Sequence, residues 1–375
     1  MVNQARLVEL FKTLCLINAP ALEERPAVDY VKNLLTEMGL EVVEDNAGEV
    51  IGGNAGNVIA TWRGTRPDAP RIYFSAHFDT VEPTEGLVIG ERDGVLYTES
   101  DTILGADDKA GMAAIIEALR VMNETGEEHG DVVLLLPVAE EIGLKGAGAL
   151  DIQSLDLDFG YVLDTGPPVG TYVNRTATHD KLDITVIGKP AHAGKHPEDG
   201  INALCVAADA ISQLKIGRVG PETTSNLGIV SGGTGTNVVM PSVTIKAEAR
   251  STSVEELDAT VGEMMRAFED AARRWGAKVR IDHVRHYDSY LIPEDSTVVQ
   301  VGQQAARKLG FTGDLRTTLG GSDANQFNTK GVPSIVMATG MEDIHTHDEH
   351  VSIESLVQNT ELVMEIVRTV REMKR

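Results

Sequence analysis

The stretch that decides the fold is DVVLLLPVAEEIG, residues 131–143. An apolar run from Val132 to Val138 is followed by Ala139 and then by two adjacent carboxylates, Glu140 and Glu141. A short apolar run of this kind is typical of a strand that is buried on both faces of a parallel sheet. Open parallel sheets present functional groups at the carboxyl ends of their strands. Two adjacent carboxylates at such an end either form a solvated terminus or face a cation, and this stretch alone leaves both interpretations open.

Composition limits the class of protein. A chain of 375 residues, 42% apolar and 24% charged, is long enough for two globular domains. The formal net charge of −24 would repel nucleic acid, so no nucleic-acid partner is expected. The two cysteines, Cys15 and Cys205, form no CxxC motif and fit a reducing compartment. Neither a signal peptide nor an apolar stretch of about 18 residues occurs, so we expect a cytoplasmic protein without a membrane segment.

Two more apolar runs are followed by residues whose side chains are common metal ligands. The run at 71–76, RIYFSA, predicts a strand followed by His77 and Asp79, and the run at 159–163 ends at Asp164. Asp79 is placed to accept the second ring N–H of a metal-bound His77. A lone HxD is also typical of an ordinary polar strand end. Three successive strand endings of this type indicate a metal site at the carboxyl edge of a sheet.

Two further segments add candidate ligands. Asp107 and Asp108 precede a helix predicted over Ala110–Met122, where they either cap the helix or bridge two ions. Near the C-terminus the apolar run PSIVMA, 333–338, is followed by MEDIHTHDEH at 341–350, which contains three histidines. Imidazole and carboxylate donors together suit zinc, cobalt or manganese. A serine hydrolase and a P-loop enzyme are not supported, because neither GxSxG nor GxxxxGK[ST] occurs.

The middle of the chain has a different pattern. Between Lys181 and Val284 the predicted order is strand, helix, strand, strand, helix, strand, which is a split βαβ arrangement. We therefore predict an α/β protein with a mainly parallel-sheet catalytic domain, residues 1–176 and 289–375, and helices on both faces of its sheet. An α+β lid domain of βαββαβ order, residues 177–288, is inserted into it. The exposed edge of its sheet is expected to allow pairing with a second copy of the chain.

Seven short motifs follow one another along the chain: HFDT at 77–80, GADDKAG at 105–111, EEIGLKGA at 140–147, LDTG at 163–166, GKPAHAGKHPEDGINA at 188–203, GGSDA at 320–324 and HTHDE at 345–349. In this order they resemble the M20 metallopeptidases, and within that family the peptidase T-like (aminotripeptidase) branch. The resemblance covers nearly the whole chain. None of the motifs is specific alone, whereas seven in one order are.

The resemblance implies a dinuclear metal site. His77 and Asp164 would bind one ion, and Glu141 and His345 would bind the other. Asp107 would bridge the two ions, and its peptide bond to Asp108 would be cis. Asp79 would orient His77, and Glu140 would be the general base. The family pattern of His, two residues, Asp or Asn, then Glu selects His345 as the last ligand, and we expect His347 to be a solvated neighbour.

The resemblance also implies substrate contacts in the inserted domain. His192 would polarise the scissile carbonyl, while Asn237 and Arg250 would contact the substrate. Gly320 and Gly321 would let the backbone approach it. On spacing alone, His192 is also consistent with a turn histidine, and Arg250 with a solvated strand residue. The remaining histidines of this region are expected at the surface: His179, His196, His283 and His286.

The expected activity is hydrolysis of short peptides with two divalent ions, Zn²⁺ first and Co²⁺ or Mn²⁺ as alternatives. The expected reaction releases the N-terminal residue of a tripeptide or similar substrate. Removal of an acyl group from an amino acid, and carboxypeptidase action, use the same fold and stay open. A binding protein without catalysis is disfavoured, because Glu140 and Asp79 would have no use there. A structural zinc site is disfavoured too, because such sites prefer closed cysteine and histidine sets.

Overall fold

A computed structural model describes the whole chain, residues 1–375, as two compact units. The first unit comprises Met1–Arg175, Tyr290–Thr317 and Ser322–Arg375, and the second comprises Thr176–Ser289 and Thr318–Gly321. The return of the four residues Thr318–Gly321 to the second unit is not part of the division expected from sequence. No helix is long and apolar enough to cross a membrane.

The elements are numbered in chain order. The helices are α1 (Gln4–Leu16), α2 (Arg25–Glu37), α3 (Ala47–Ile51), α4 (Ala106–Thr125), α5 (Lys145–Ala149), α6 (Ala203–Ile211), α7 (Val254–Trp275), α8 (Thr297–Lys308), α9 (Asp323–Thr329) and α10 (Ile353–Val370). The strands are β1 (Glu41–Glu44), β2 (Val58–Trp62), β3 (Ile72–Ser75), β4 (Ile89–Arg92), β5 (Val95–Thr98), β6 (Val132–Leu136), β7 (Phe159–Val162), β8 (Tyr172–Arg175), β9 (Thr178–Ile187), β10 (Gly217–Gly220), β11 (Thr223–Gly232), β12 (Ser242–Ser251), β13 (Lys278–Tyr287), β14 (Leu315–Thr317), β15 (Ser334–Met337), β16 (Met341–Glu342) and β17 (His350–Ser352).

The first unit is built on an eight-stranded mixed sheet of order β1-β2-β6-β3-β7-β15-β8-β14. Its four central strands, β6, β3, β7 and β15, run parallel. The pairing puts Ile72 opposite Val132 on one side and opposite Phe159 on the other. The carboxyl ends of β3, β6 and β7 therefore lie side by side, as the three strand endings predict.

The central strand β6 contributes to a core on each face of this sheet. Val132, Leu134 and Leu136 belong to the larger core, which includes buried residues of α1, α4 and α10. Val133 and Leu135 belong to a smaller core with residues of α5 and α9. Because successive strand residues point to opposite faces, an uninterrupted apolar run is what this position requires. The predicted doubly buried strand and helices on both faces are confirmed.

The second unit contains a five-stranded antiparallel sheet of order β10-β11-β12-β9-β13. Leu182, Ile184 and Val186 of β9 pack into a core with residues of α6 and α7. Their neighbours Lys181 and Asp183 are exposed, so polar and apolar residues alternate along β9 and the sheet has one solvated face. The short strand β10, which pairs only with the start of β11, was not predicted. Residues 226–232 of β11 thus form an open sheet edge.

Two local features were not predicted from the sequence. The glycine-rich segment 48–56 contains most of the helix α3, which ends at Gly52 in the left-handed conformation. A separate four-stranded sheet, β16-β17-β5-β4, was not predicted at all. Its hairpin is closed by Asp93 and Gly94, both with positive φ, which is the Asp-Gly turn signal. The signal was missed because its flanking strands have only four residues each.

Candidate metal centre

The carboxyl ends of β3, β6 and β7 bring the predicted ligands together in the first unit. Three groups of side chains have ligating atoms within 4.8 Å of one another: His77 with Asp107 and Asp164, His77 with Glu140 and Glu141, and Asp107 with Glu141 and His345. These groups share His77, Asp107 and Glu141, so they form one cluster. The residues come from three neighbouring strand ends, the start of α4 and the loop before β17.

Asp107 lies at the centre of the cluster. Its Oδ1 is 3.1 Å from His77 Nε2, and its Oδ2 is 3.2 Å from His345 Nε2. One carboxylate therefore faces two imidazoles with separate oxygens, which is the arrangement of a bridging ligand. The peptide bond between Asp107 and Asp108 is cis, as the resemblance implies.

Asp79 contacts both His77 and the two glutamates, whereas the sequence indicated only the contact with His77. His77 Nδ1 lies 3.0 Å from the backbone carbonyl oxygen of Asp79 and 3.4 Å from its carboxylate, so the carbonyl is the nearer acceptor. The two carboxylate oxygens instead accept the backbone N–H groups of Glu140 (2.9 Å) and Glu141 (3.0 Å). Asp79 thus fixes His77 mainly through its carbonyl group and holds both glutamates through its side chain.

The adjacent glutamates can both serve one cluster because the chain turns just before them. Ala139 has a φ of 53°, in the left-handed region that a strand does not enter. Its N–H is held by the buried side chain of Glu24, at 2.9 Å. Glu141 Oε1 then lies 3.2 Å from His345 Nε2, while Glu140 is buried near His77. The turn resolves the alternation that would otherwise point the two side chains to opposite faces.

Burial and crowding shift the ionisation of the whole cluster. Burial raises the pKa of Glu140 and of Asp164 well above the usual range of a carboxyl group. Burial alone would lower the pKa of His77, but its hydrogen bonds with Asp107 and Asp79 raise it. Hydrogen bonds that His345 donates to the carboxylates of Asp107 and Glu141 raise its pKa to about 10. The raised pKa values of Glu140 and Asp164 mean that these buried carboxyl groups need a neighbouring positive charge in order to be ionised, whereas the carboxylates around His77 and His345 favour the charged form of each imidazole.

The donor set fits divalent cations. Carboxylates outnumber the nearby basic groups, of which Lys109 is a buried lysine that donates to the carbonyl of Phe78. Buried carboxylate oxygens Asp108 Oδ1 and Asp323 Oδ1 have no hydrogen-bond partner. Acceptors without donors are expensive in a buried site unless a cation faces them. Oxygen and imidazole donors of this kind suit zinc, cobalt or manganese.

The second C-terminal histidine lies outside the cluster. His347 Nε2 is 2.8 Å from Glu82 Oε1, and its Nδ1 is 3.0 Å from Asp101 Oδ1. Its side chain and both partner side chains are exposed. Of the two histidines, His345 is the one that lies within 3.2 Å of Asp107 and Glu141.

The residues expected to contact substrate all belong to the second unit. His192 and Asn237 lie on two paired segments, where the Ala193 N–H donates to the Asn237 carbonyl at 2.9 Å and His192 bridges to Val238. Both side chains are exposed. The structure therefore brings His192 and Asn237 together on two adjacent, hydrogen-bonded segments of the second unit.

Arg250 and the glycine pair form a second group in that unit. Arg250 donates to both carboxylate oxygens of Glu248 at 3.2 Å and to the Leu319 carbonyl at 3.3 Å. A Cβ at Gly321 would collide with the ring of Tyr287, so packing against Tyr287 is enough to explain why this position is a glycine. Gly320 has no such constraint, since its nearest neighbour is the Thr318 hydroxyl at 3.4 Å.

One expected surface histidine is buried. His179 lies on β9 at the sheet interior, with Nε2 3.0 Å from Glu248 Oε2 and with its ring against those of His286 and Tyr287. Sequence alone did not show this, because the polar residues His179 and Asp180 begin the strand and resemble a loop. His196 and His283 are exposed and His286 is half-buried.

Four buried residues beside the cluster were not singled out from sequence. Glu349 and Asp323 lie within the quoted motifs HTHDE and GGSDA, so the signal was present but unassigned. Lys109 lies within GADDKAG in the same way. Glu24 carried no signal, because a glutamate before a helix is ordinary.

Comparison with known proteins defines the class. Residues 73–369 match Peptidase family M20/M25/M40. The chain therefore belongs to this family, and it is a metallopeptidase, a hydrolase of peptide bonds.

Individual relatives refine the resemblance. A Bacillus subtilis protein, YqjE, is 40% identical over 367 residues, covering 98% of this chain and 99% of its own length. A Peptidase T of Enterococcus faecalis is 27% identical, covering 72% of this chain and 67% of its own length.

Solved structures agree in fold. Aminopeptidase PepT of Bacillus cereus has a TM-score of 0.88 at 39% identity, covering 98% of this chain and 99% of that one. A tripeptidase of Staphylococcus aureus has a TM-score of 0.94 at 37% identity, covering both chains in full (100%). The chain thus resembles the peptidase T-like branch, as its seven motifs predict.

Proposed function

We propose that this peptidase releases the N-terminal residue of short peptides, tripeptides first, with the help of two divalent ions. The observation that carries the proposal is Asp107, whose two oxygens face His77 and His345 separately at 3.1 and 3.2 Å. The named aminopeptidase and tripeptidase that this chain resembles over nearly its full length support the substrate class. Two unpaired cysteines support a reducing compartment, the cytoplasm, as its place of action.

The chain would hold the two ions with five side chains. His77 and Asp164 would bind one, Glu141 and His345 the other, and Asp107 both. Zn²⁺ suits this donor set best, with Co²⁺ or Mn²⁺ as alternatives. When bound, the ions would polarise the scissile carbonyl and lower the pKa of the attacking water.

Glu140 is the proposed general base. Its carboxylate is buried within the cluster, in the group with His77 and Glu141, but it is not one of the five side chains proposed to hold the two ions. Burial raises its pKa, which increases its affinity for the proton of the attacking water. Asp79 holds the Glu140 backbone by accepting its N–H, and the Glu140 carboxylate would take the water proton and return it to the leaving amine.

Substrate contacts are proposed for the second unit on resemblance. His192 would donate to the developing oxyanion, and Asn237 would contact the substrate beside it. Arg250 suits a substrate carboxylate because its guanidinium is a planar fork. The resemblance implies that the backbone at Gly321 approaches the substrate. We propose that this role is weaker than implied, because packing against Tyr287 already explains why the residue is a glycine.

The test compares a free tripeptide with its N-acetylated form, with the metal counted in the same sample by mass spectrometry. We expect the free tripeptide to be cut at its first bond and the acetylated form to be resistant. Glu140→Gln is the matched control, because the amide has the same shape but cannot take a proton. We expect it to keep two ions while kcat falls at least 1,000-fold, on the order of a lost general base.

Other results would change the assignment. Cleavage of only the acetylated substrate would move the function to deacylation on the same site. Loss of an ion in Glu140→Gln would make Glu140 a ligand instead of the base. If two ions are bound and neither substrate is cut, the aminopeptidase proposal fails.

A further inference from the structure

Glu349 is a buried carboxylate beside the metal cluster that has no role in the proposed chemistry. It follows His345 by four residues and immediately precedes β17. Its side chain is 1% exposed, although glutamate is almost never fully buried without a partner. No lysine or arginine forms an ion pair with it. Its partners are backbone N–H groups instead.

Both carboxylate oxygens of Glu349 are used, and both hold the segment that presents Asp107. Oε2 accepts the Gly105 N–H at 2.7 Å, and Oε1 accepts the Asp107 N–H at 2.9 Å. These N–H groups belong to the start of α4, where the first donors of a helix have no partner within it. Gly105 has a φ of 74°, which a glycine adopts at low cost.

The contacts join two segments that are far apart in the sequence. Asp107 lies at the start of α4, and His345 lies in the loop before β17, some 240 positions later. Their side chains meet at 3.2 Å, and Glu349 ties the same two segments together through the backbone. A shift of the loop would therefore move Glu349, His345 and the Asp107 segment together.

Asp79 makes the same kind of contact with another part of the cluster. Its two oxygens hold the N–H groups of Glu140 and Glu141, at 2.9 and 3.0 Å. At Glu349 and at Asp79 alike, a buried carboxylate accepts hydrogen bonds from two backbone N–H groups at or next to a candidate ligand. A carboxylate suits this task better than an amide, because each of its oxygens accepts a hydrogen bond while an amide offers only one acceptor.

We propose that Glu349 is a positioning residue that sets the spacing of Asp107 and His345 for the ion they share. The proposal rests on the proposed metal pair, not on the identity of the peptide substrate. Partners outside the ligand set that hold metal ligands typically contribute 10–100-fold to metal affinity or to activity. The effect is expected on the ion held by Glu141 and His345.

The experiment titrates the metal-depleted full-length protein with Zn²⁺ against a chromogenic chelator, and measures kcat and KM for a tripeptide. The test variant is Glu349→Gln, which keeps the shape and removes one acceptor. The control is Asp131→Asn at the amino end of β6. There Asp131 accepts the Gly64 N–H at 2.8 Å and the Arg63 guanidinium at 2.8 Å, away from the cluster.

For Glu349→Gln we expect one tight ion, a 10–100-fold weaker second ion and a kcat reduced to a similar extent. The KM should stay within about threefold, because substrate contacts are not altered. For Asp131→Asn both ions and kcat should stay within about twofold of wild type. Glu349→Asp, which retains two oxygens on a shorter stem, should lose less affinity for the second ion.

Wild-type affinity for both ions in Glu349→Gln would overturn the proposal, even if its melting temperature falls as in Asp131→Asn. If that variant does not fold, Glu349→Asp decides by the same titration, and unchanged binding again overturns the proposal. A wild-type protein that binds two ions but cuts no tripeptide refutes the proposed function alone, since the titration still reports on Glu349. A wild-type protein that binds no ion refutes both.

Discussion

At the scale of single residues, the proposed metal centre depends on which C-terminal histidine reaches Asp107, the proposed bridging carboxylate. His345 Nε2 is 3.2 Å from both Asp107 and Glu141, whereas His347 contacts the exposed Glu82 and Asp101. We expect His345→Ala to lose one of two bound ions and to reduce kcat at least 100-fold, because three ligands to one ion become two. Metal analysis and tripeptide turnover measure both effects.

His347→Ala is the matched control for that prediction. It removes an imidazole two positions away and an exposed ion pair that contributes little to stability. Two bound ions and near-normal turnover are expected. The reverse pattern, with the ion lost in His347→Ala, would show that the ligand has been assigned to the wrong histidine.

At the scale of elements, the short helix α5 supports the turn that presents Glu140. The Gly146 N–H donates to the Val138 carbonyl at 3.0 Å, so α5 begins directly against the end of β6. A Cβ at Gly146 would collide with that carbonyl and lie 2.5 Å from Asn57 Oδ1. Gly146→Ala should therefore lower the free energy of unfolding by about 1–3 kcal/mol and reduce kcat. Urea unfolding and turnover test both.

Gly148 provides the control on the same helix. Its nearest neighbour for an added Cβ is the Gln326 side chain, at 3.8 Å, which is ordinary contact. Gly148→Ala should be neutral, or more stable by up to about 1 kcal/mol, because alanine favours a helix. Equal effects of the two substitutions would mean that α5 does not position the end of β6.

At the scale of the whole molecule, acidic groups dominate, with 57 Asp and Glu against 33 Lys and Arg. Burial raises the pKa of Asp323 to about 7, from an ordinary 3.8. A raised pKa means that the folded state binds the proton more tightly. Its contribution to stability is thus complete below about pH 4 and is lost as the pH rises through 7. The metal-free protein should lose on the order of 2 kcal/mol of stability between pH 5 and pH 8 from this group.

Thermal unfolding in excess chelator at pH 5 and pH 8 measures this loss, and Asp323→Asn is the comparison. The asparagine cannot ionise, so the melting temperature of that variant should fall less over the same interval. Parallel curves for the two proteins would mean that Asp323 does not titrate in this range. With saturating Zn²⁺ the pH dependence should weaken or reverse, because metal binding competes with protons for the cluster.

Much of the fold was predictable because its signals are local. The apolar run 132–138 predicts the buried strand β6, and the order of patterns between Lys181 and Val284 predicts the strands and helices of the inserted domain. The order of motifs then predicted the family. What failed was also local but weak: four-residue strands and a five-residue helix have too few positions to show a period.

The sequence by itself determined the longer elements of this protein, its membership in the M20 family and its candidate ligands, since residue type and periodicity are properties of short segments. Only the tertiary structure showed that Asp107 faces two histidines and that Asp79 holds the glutamates by their N–H groups. It alone revealed that Glu349 ties Asp107 to the loop of His345. These contacts join residues up to 244 positions apart, and no local pattern encodes the partner of a backbone N–H.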